Sequence, residues 1–91
     1  MRPPSHIDRA LVLEWAWSDV PFGNVRFTDG SIAAVIHGLA LCQYDGSSEI
    51  YPFSCDIQWE CQQDQVYDSI VTAKADLPEQ YRHAPIHWNT T

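Results

Sequence analysis

The chain reads as an α+β domain: a two-layer fold in which an antiparallel, meander-like β-sheet of four to six strands carries one short α-helix. Three observations predict it. Apolar and polar residues alternate with period two through Leu11-Val12-Leu13-Glu14-Trp15-Ala16-Trp17. Asp29-Gly30 and Asp45-Gly46 fall between apolar runs, where that dipeptide marks a hairpin. Asp68-Ser69 precedes a stretch of helical spacing that stops at Pro78. Length and composition agree, because 91 residues suit one domain and a hydrophobic content of 45% is too high for a solvated acidic tail. Such a domain buries roughly 60–65% of its unfolded surface, enough for a modest core.

Residues 1–8 read as a loose leader, with two prolines and little to bury, and residues 9–91 as the domain. From Arg9 the alternation sets Leu11, Leu13, Trp15 and Trp17 on one face and Val12, Glu14 and Ala16 on the other. Ser18-Asp19-Val20-Pro21-Phe22-Gly23 ends this strand, since proline removes a ladder donor and glycine admits positive φ. Asn24 to Thr28 alternates again, with Val25 and Phe27 opposite Arg26. The apolar run from Ser31 to Tyr44 is far longer than the usual strand of about 5–6 residues. It therefore divides into two segments or bends as one strand at His37-Gly38. After the turn at Asp45-Gly46-Ser47-Ser48, Glu49 to Cys55 is a further strand in which Pro52 marks an edge or bulge.

Asp56, Glu60, Asp64 and Asp68 then recur every fourth residue. A helix would stack these carboxylates on one side, at roughly a few tenths of a kcal/mol per pair. A strand through Gln62 instead points Ile57, Trp59 and Cys61 inward and Asp56, Gln58, Glu60, Gln62 and Asp64 outward, so a strand is expected. Asp68 or Ser69 caps the helix through Leu77, with Ile70, Ala73 and Leu77 as its apolar stripe. Ile86-His87-Trp88 closes the chain with a short strand. Trp15 or Trp17, together with Trp59, is expected to supply much of the core, each aromatic burying about 150–250 Å².

Twelve acidic and five basic side chains leave a net charge of −7, which opposes phosphate-tracking nucleic-acid binding and attraction to anionic membranes. No segment approaches the roughly 18 apolar residues of a membrane span, and Met1–His6 holds no apolar run of signal-peptide length. A cytoplasmic protein with reduced thiols is expected. The odd count of Cys42, Cys55 and Cys61 fits that expectation; one Cys55–Cys61 bridge with Cys42 left over is the alternative.

Chemical motifs are sparse. Cys55 and Cys61 are spaced too widely for a zinc knuckle, and Pro85 interrupts any helix aligning His83 with His87, so no metal or other cofactor is expected. Nucleophilic catalysis would need Cys42 with His37, or a cysteine with His83 or His87, plus an orienting group. Neither Ser47 nor Ser54 lies in a nucleophile elbow, and Glu49 with Glu60 would need one carboxyl in an apolar pocket for acid–base work. Phe22-Gly23-Asn24 carries a single glycine, and the Asp-Gly turns put acids where a phosphate cradle needs amides and a lysine. No catalytic residue is assigned.

Charge is unevenly spread. Residues 27–73 contain seven acids and no Lys or Arg. With the strands paired as above, Glu49, Asp56, Glu60 and Asp64 share a neighbourhood, and they are the candidate partner-binding residues. A field of one sign speeds association with a cationic partner, while the plainer role of the same charges is solubility.

Leu13-Glu14-Trp15, Asp19-Val20-Pro21-Phe22-Gly23, Arg26-Phe27-Thr28-Asp29-Gly30, Gly38-Leu39-Ala40-Leu41-Cys42-Gln43-Tyr44, Tyr51-Pro52-Phe53-Ser54-Cys55-Asp56 and Tyr67-Asp68-Ser69-Ile70, leading to Ala73-Lys74, read together. Over roughly residues 11–81 they resemble a family of small, mostly uncharacterised bacterial proteins associated with toxin–immunity neighbourhoods. The resemblance transfers no catalytic residues. It implies a compact bacterial cytosolic protein that binds another protein. The expected function is a non-enzymatic binding module, an immunity-type antagonist that covers a basic surface with its acidic face. A homodimer formed through a strand edge and a cysteine-dependent enzyme are the alternatives.

Overall fold

A computed structural model describes residues 1–78, 81 and 84–91. These residues form β1 (His6–Ile7), β2 (Ala10–Trp17), β3 (Gly23–Arg26), β4 (Ile32–Ile36), β5 (Gly38–Gln43), β6 (Tyr51–Cys55), β7 (Cys61–Asp64), α1 (Ile70–Ala75) and β8 (Asn89–Thr90). Six strands make one antiparallel sheet in the order β1-β2-β5-β6-β7, with β8 beside β1 on the outer side of β2. Among the described residues β3 and β4 pair only with each other, as a separate ribbon. The α+β class with one short helix holds for the described residues. The finer architecture differs, because the sheet curls into a half-barrel and the ribbon leaves it.

Local chemistry explains the hairpins. Gly30 (φ 90°) and Gly46 (φ 80°) adopt the left-handed conformation their turns require. The apolar run breaks at His37, and the two sides become β4 and β5. The leader is shorter than residues 1–8: His6 and Ile7 pair with Leu11 and Ala10, and Ile7 is buried. Asp8 (φ 48°) and Arg9 (φ 71°) make that two-residue turn, both left-handed, as the twist of a tight hairpin demands. Pro52 lies in β6, an interior strand rather than an edge; its carbonyl accepts the Gln65 amide, so its missing donor falls at the end of the β7 ladder.

Packing departs from simple alternation in β2. A bulge between Val12 and Glu14 resets the period, so Val12, Trp15 and Trp17 share one face while Leu13 and Ala16 serve the other. On the first face they meet Ala40, Cys42, Phe53, Cys55 and Trp59, without any helix. The opposite face packs Leu41 against Ile50 and Ala73 of α1, and Leu39 against Phe22, Ile36 and Tyr81. Ser69 caps α1 by accepting the Thr72 amide, and the helix stops at Ala75, short of Leu77. Lys74 reaches from α1 to Glu14 (2.7 Å) and lies 5.3 Å from the centre of the Trp88 ring, clamping helix and C-terminal segment to β2. The last strand lies at Asn89–Thr90 instead of 86–88.

Candidate functional site

The segment expected to be a strand from Asp56 to Gln62 is a tight connection, and only from Cys61 does it become β7. The Trp59 amide donates to the Asp56 carbonyl (3.1 Å), and the Asp56 amide donates to the Glu60 carbonyl (3.0 Å). One Asp56 carboxylate oxygen accepts the amides of Gln58 (2.8 Å) and Glu60 (3.0 Å), and the other accepts Gln62 Nε2 (3.1 Å). An Asx turn of this kind competes directly with strand pairing, which is the physical reason the expected alternation fails here. Ile57 consequently points outward, 56% exposed.

Trp59 sits in this turn at φ 63°, a conformation costly for a bulky residue. Its indole folds over Gly38, which has no side chain to block it, and is 5% exposed. Trp15 meets it edge-on at 6.2 Å between ring centres and Trp17 at 5.4 Å. Trp17 in turn stacks on His37 at 5.8 Å, whose Nδ1 lies 2.9 Å from the Ser18 carbonyl. Trp59 is therefore buried as expected, but from a left-handed turn rather than from the inner face of a strand.

The four candidate acids fall into two groups. Asp56 and Glu60 occupy the β6–β7 turn, with Asp56 half-buried and committed to holding it. Asp64, opposite Phe53, stands at the other end of the hairpin. Glu49 accepts the Tyr51 hydroxyl at 3.3 Å, and Glu49 and Asp64 both raise the Tyr51 pKa, after its partial burial. Asp8, which the sequence places in a loose leader, joins Asp64 around Tyr44: both push that phenol up, again behind burial as the main cause. Missing Asp8 followed from missing the β1–β2 hairpin.

Beside the β6–β7 turn lies an open groove of about 290 Å³. Ala33 and Val35 of β4 form one wall, Ile57, Asp56 and Gln62 the other, and His37 lies between them. β4 is apolar at every position, yet Ile32 is 51% and Val35 36% exposed, with Phe27 at 61% nearby. An apolar strand paired on one side only is an unusual thing to leave in water. The sequence carries the apolar run but not its exposure.

The cysteines are distinct in environment. Cys42 and Cys55 are buried and Cys61 is half-buried. Burial pushes the Cys42 thiol up to about 12, which makes it a poor nucleophile near neutral pH. Cys42 and His37 lie at opposite ends of β5, and His83 lies outside the described residues. Among the described residues no group of three or more His, Cys, Asp or Glu side chains is arranged to hold a metal ion, and no helix is long and apolar enough to cross a membrane. No family model matches the chain, nor does any curated protein or solved structure.

Proposed function

We propose that the protein is a non-enzymatic binding module of the bacterial cytoplasm that docks a protein partner with a basic surface, in the manner of an immunity-type antagonist. The groove between β4 and the β6–β7 turn carries this reading. It combines exposed apolar side chains (Val35, Ile57) with the carboxylate of Asp56, and Glu60 follows in the same turn, inside a stretch of sequence without Lys or Arg. Apolar contact supplies affinity in such an arrangement, and the uncompensated charge selects a cationic partner and speeds its arrival. Glu49 and Asp64 extend the same field to the far end of the hairpin. Asp56 acts mainly by shaping the turn, so Glu49, Glu60 and Asp64 are the acids free to meet a partner.

Capture from the native host tests the proposal, using the wild type beside two variants: Glu49→Gln/Glu60→Gln/Asp64→Asn, and Val35→Ser/Ile57→Ser. All five positions are exposed, so stability should hold within about 0.5 kcal/mol per change. A basic protein retained by the wild type and lost by both variants is the expected result. Association of the purified pair should then slow with the charge variant and lose its dependence on salt. A partner indifferent to both variants, or none that distinguishes them, overturns the proposal. A homodimer through a strand edge is the second reading, supported by β4, whose outer side pairs with no described strand. Sedimentation over a range of concentrations separates the two, since an obligate heteromeric binder stays monomeric alone.

A further inference from the structure

We infer that Cys55 and Cys61 form a redox-active dithiol, an oxidation site at which a small disulfide is reduced and a bond is made between β6 and β7. The register places the two residues directly opposite each other, with the extra residue of the adjacent bulge, Gln62, lying beyond them. The Cys55 carbonyl accepts the His37 amide (3.0 Å), so the peptide groups of Cys55 face β5 and not β7. The next pair, Asp56 and Glu60, is hydrogen-bonded. Cys55 and Cys61 are thus a non-hydrogen-bonded antiparallel pair, the kind whose Cα atoms approach to about 4.5 Å with side chains on one face. That spacing lies within the roughly 4.4–6.8 Å that a disulfide spans. No backbone movement is needed.

The two sulfurs are also unequal in the useful direction. Cys61 is half-buried on the outermost strand, where an oxidant can reach it, and Cys55 is buried behind it. Contact between the two sulfurs lowers the Cys61 thiol below its ordinary range and raises that of Cys55, which burial pushes up as well, and Cys61 Sγ lies 3.4 Å from the Gln63 carbonyl. Its exposure makes Cys61 the attacking group, as the thiolate, and burial makes Cys55 the resolving thiol. Cys61 attacks one sulfur of a disulfide such as oxidised glutathione, forming a mixed disulfide and releasing one glutathione thiolate. That thiolate takes the Cys55 proton. The Cys55 sulfur then attacks Sγ of Cys61 and expels the second glutathione, which takes a proton from solvent. The protein sulfurs lose two electrons and the glutathione disulfide gains them. Cys42, buried on β5 opposite Tyr51, stays outside the exchange.

The test treats the reduced full-length protein with oxidised glutathione at neutral pH, quenches with acid, and counts free thiols and retained glutathione by intact mass and peptide mapping. The wild type should lose two of its three thiols, keep no glutathione, and yield a linked Cys55–Cys61 peptide. Cys42→Ser should behave likewise. Cys55→Ser should hold one glutathione on Cys61, and Cys61→Ser should leave Cys42 and Cys55 unmodified. A lasting glutathione adduct on the wild type, a bond to Cys42, a bond only between two molecules, or no reaction would each overturn the inference. Phenylarsine oxide, which bridges paired thiols, needs no variant: it should protect Cys55 and Cys61 of the wild type together from alkylation, and failure to protect both counts against the pair.

Discussion

Replacing Gly38 with alanine tests the contact on which the Trp59 turn depends. Gly38 does not occupy the left-handed region, so alanine suits its backbone and in open space would gain about 0.5–1 kcal/mol through the unfolded chain. Here the new Cβ would lie 2.5, 2.7 and 2.9 Å from Cζ3, Cε3 and Cη2 of Trp59, distances that real contacts do not reach. If the ring shifts within the core, overpacking costs about 1–3 kcal/mol. If it leaves, the lost burial of about 150–250 Å² costs about 4–6 kcal/mol. Part of that returns, because Trp59 escapes its left-handed strain, about 1–3 kcal/mol. Its Nε1–H, buried without a partner among the described residues, also regains water, worth about 1–3 kcal/mol. The two routes are comparable in cost, and a net loss of about 1–2 kcal/mol is expected, a fall in thermal midpoint of about 4–16 °C. Urea unfolding followed by tryptophan emission and circular dichroism measures the loss, and a red-shifted folded-state emission identifies the second route. The decisive control is Trp59→Ala, on which background Gly38→Ala should be neutral or stabilising. Equal or greater stability of Gly38→Ala in the wild type, or a coupling energy below about 0.5 kcal/mol, would refute the close ring–backbone contact.

Three further outcomes follow from the same geometry. Asp56→Ala removes the acceptor of two amides and one side-chain amide, and should cost about 1–3 kcal/mol in urea unfolding; a loss below about 0.5 kcal/mol would mean the turn holds without it. Lys74→Met should cost about 1 kcal/mol, since it loses both Glu14 and the Trp88 face, and a cycle with Glu14→Gln isolates the ion pair from the ring. The Tyr67 hydroxyl donates to Asp76 at 2.7 Å, which raises its pKa above the ordinary value near 10, with burial adding to the effect. The folded state then holds the proton more tightly than the unfolded chain, so this contribution is complete below about pH 10 and is lost as pH rises through the raised value. Tyr67→Phe should therefore flatten the alkaline limb of the stability curve; an unchanged limb would show that other groups set it.

Elements whose cause is local were legible in the chain. Asp29-Gly30 and Asp45-Gly46 announce their turns because left-handed backbone is a property of the residues themselves, and Ser69 caps its helix through an amide three residues away. The break at His37-Gly38 was legible too, although its use was not: the missing side chain of Gly38 makes room for a ring from a turn some twenty positions on. Alternation misled in β2, because a single bulge moves Leu13 to the face opposite Trp15 and Trp17. It misled again at 56–60, where one carboxylate captures the amides a ladder would have used.

For the candidate site, the chain by itself determined that acids would accumulate without counter-charge between residues 27 and 73, and that thiols would be few and odd in number. Only the tertiary structure decided how they are shared out. It divides Glu49 and Asp64 from Asp56 and Glu60 along the hairpin, brings Asp8 to the first pair, and exposes β4 beside the second. It also sets Cys55 against Cys61 and leaves Cys42 opposite Tyr51, in the same core cluster but outside their pair. Strand register and curl, on which all of these depend, are set by pairing between distant segments, and no local window contains both partners.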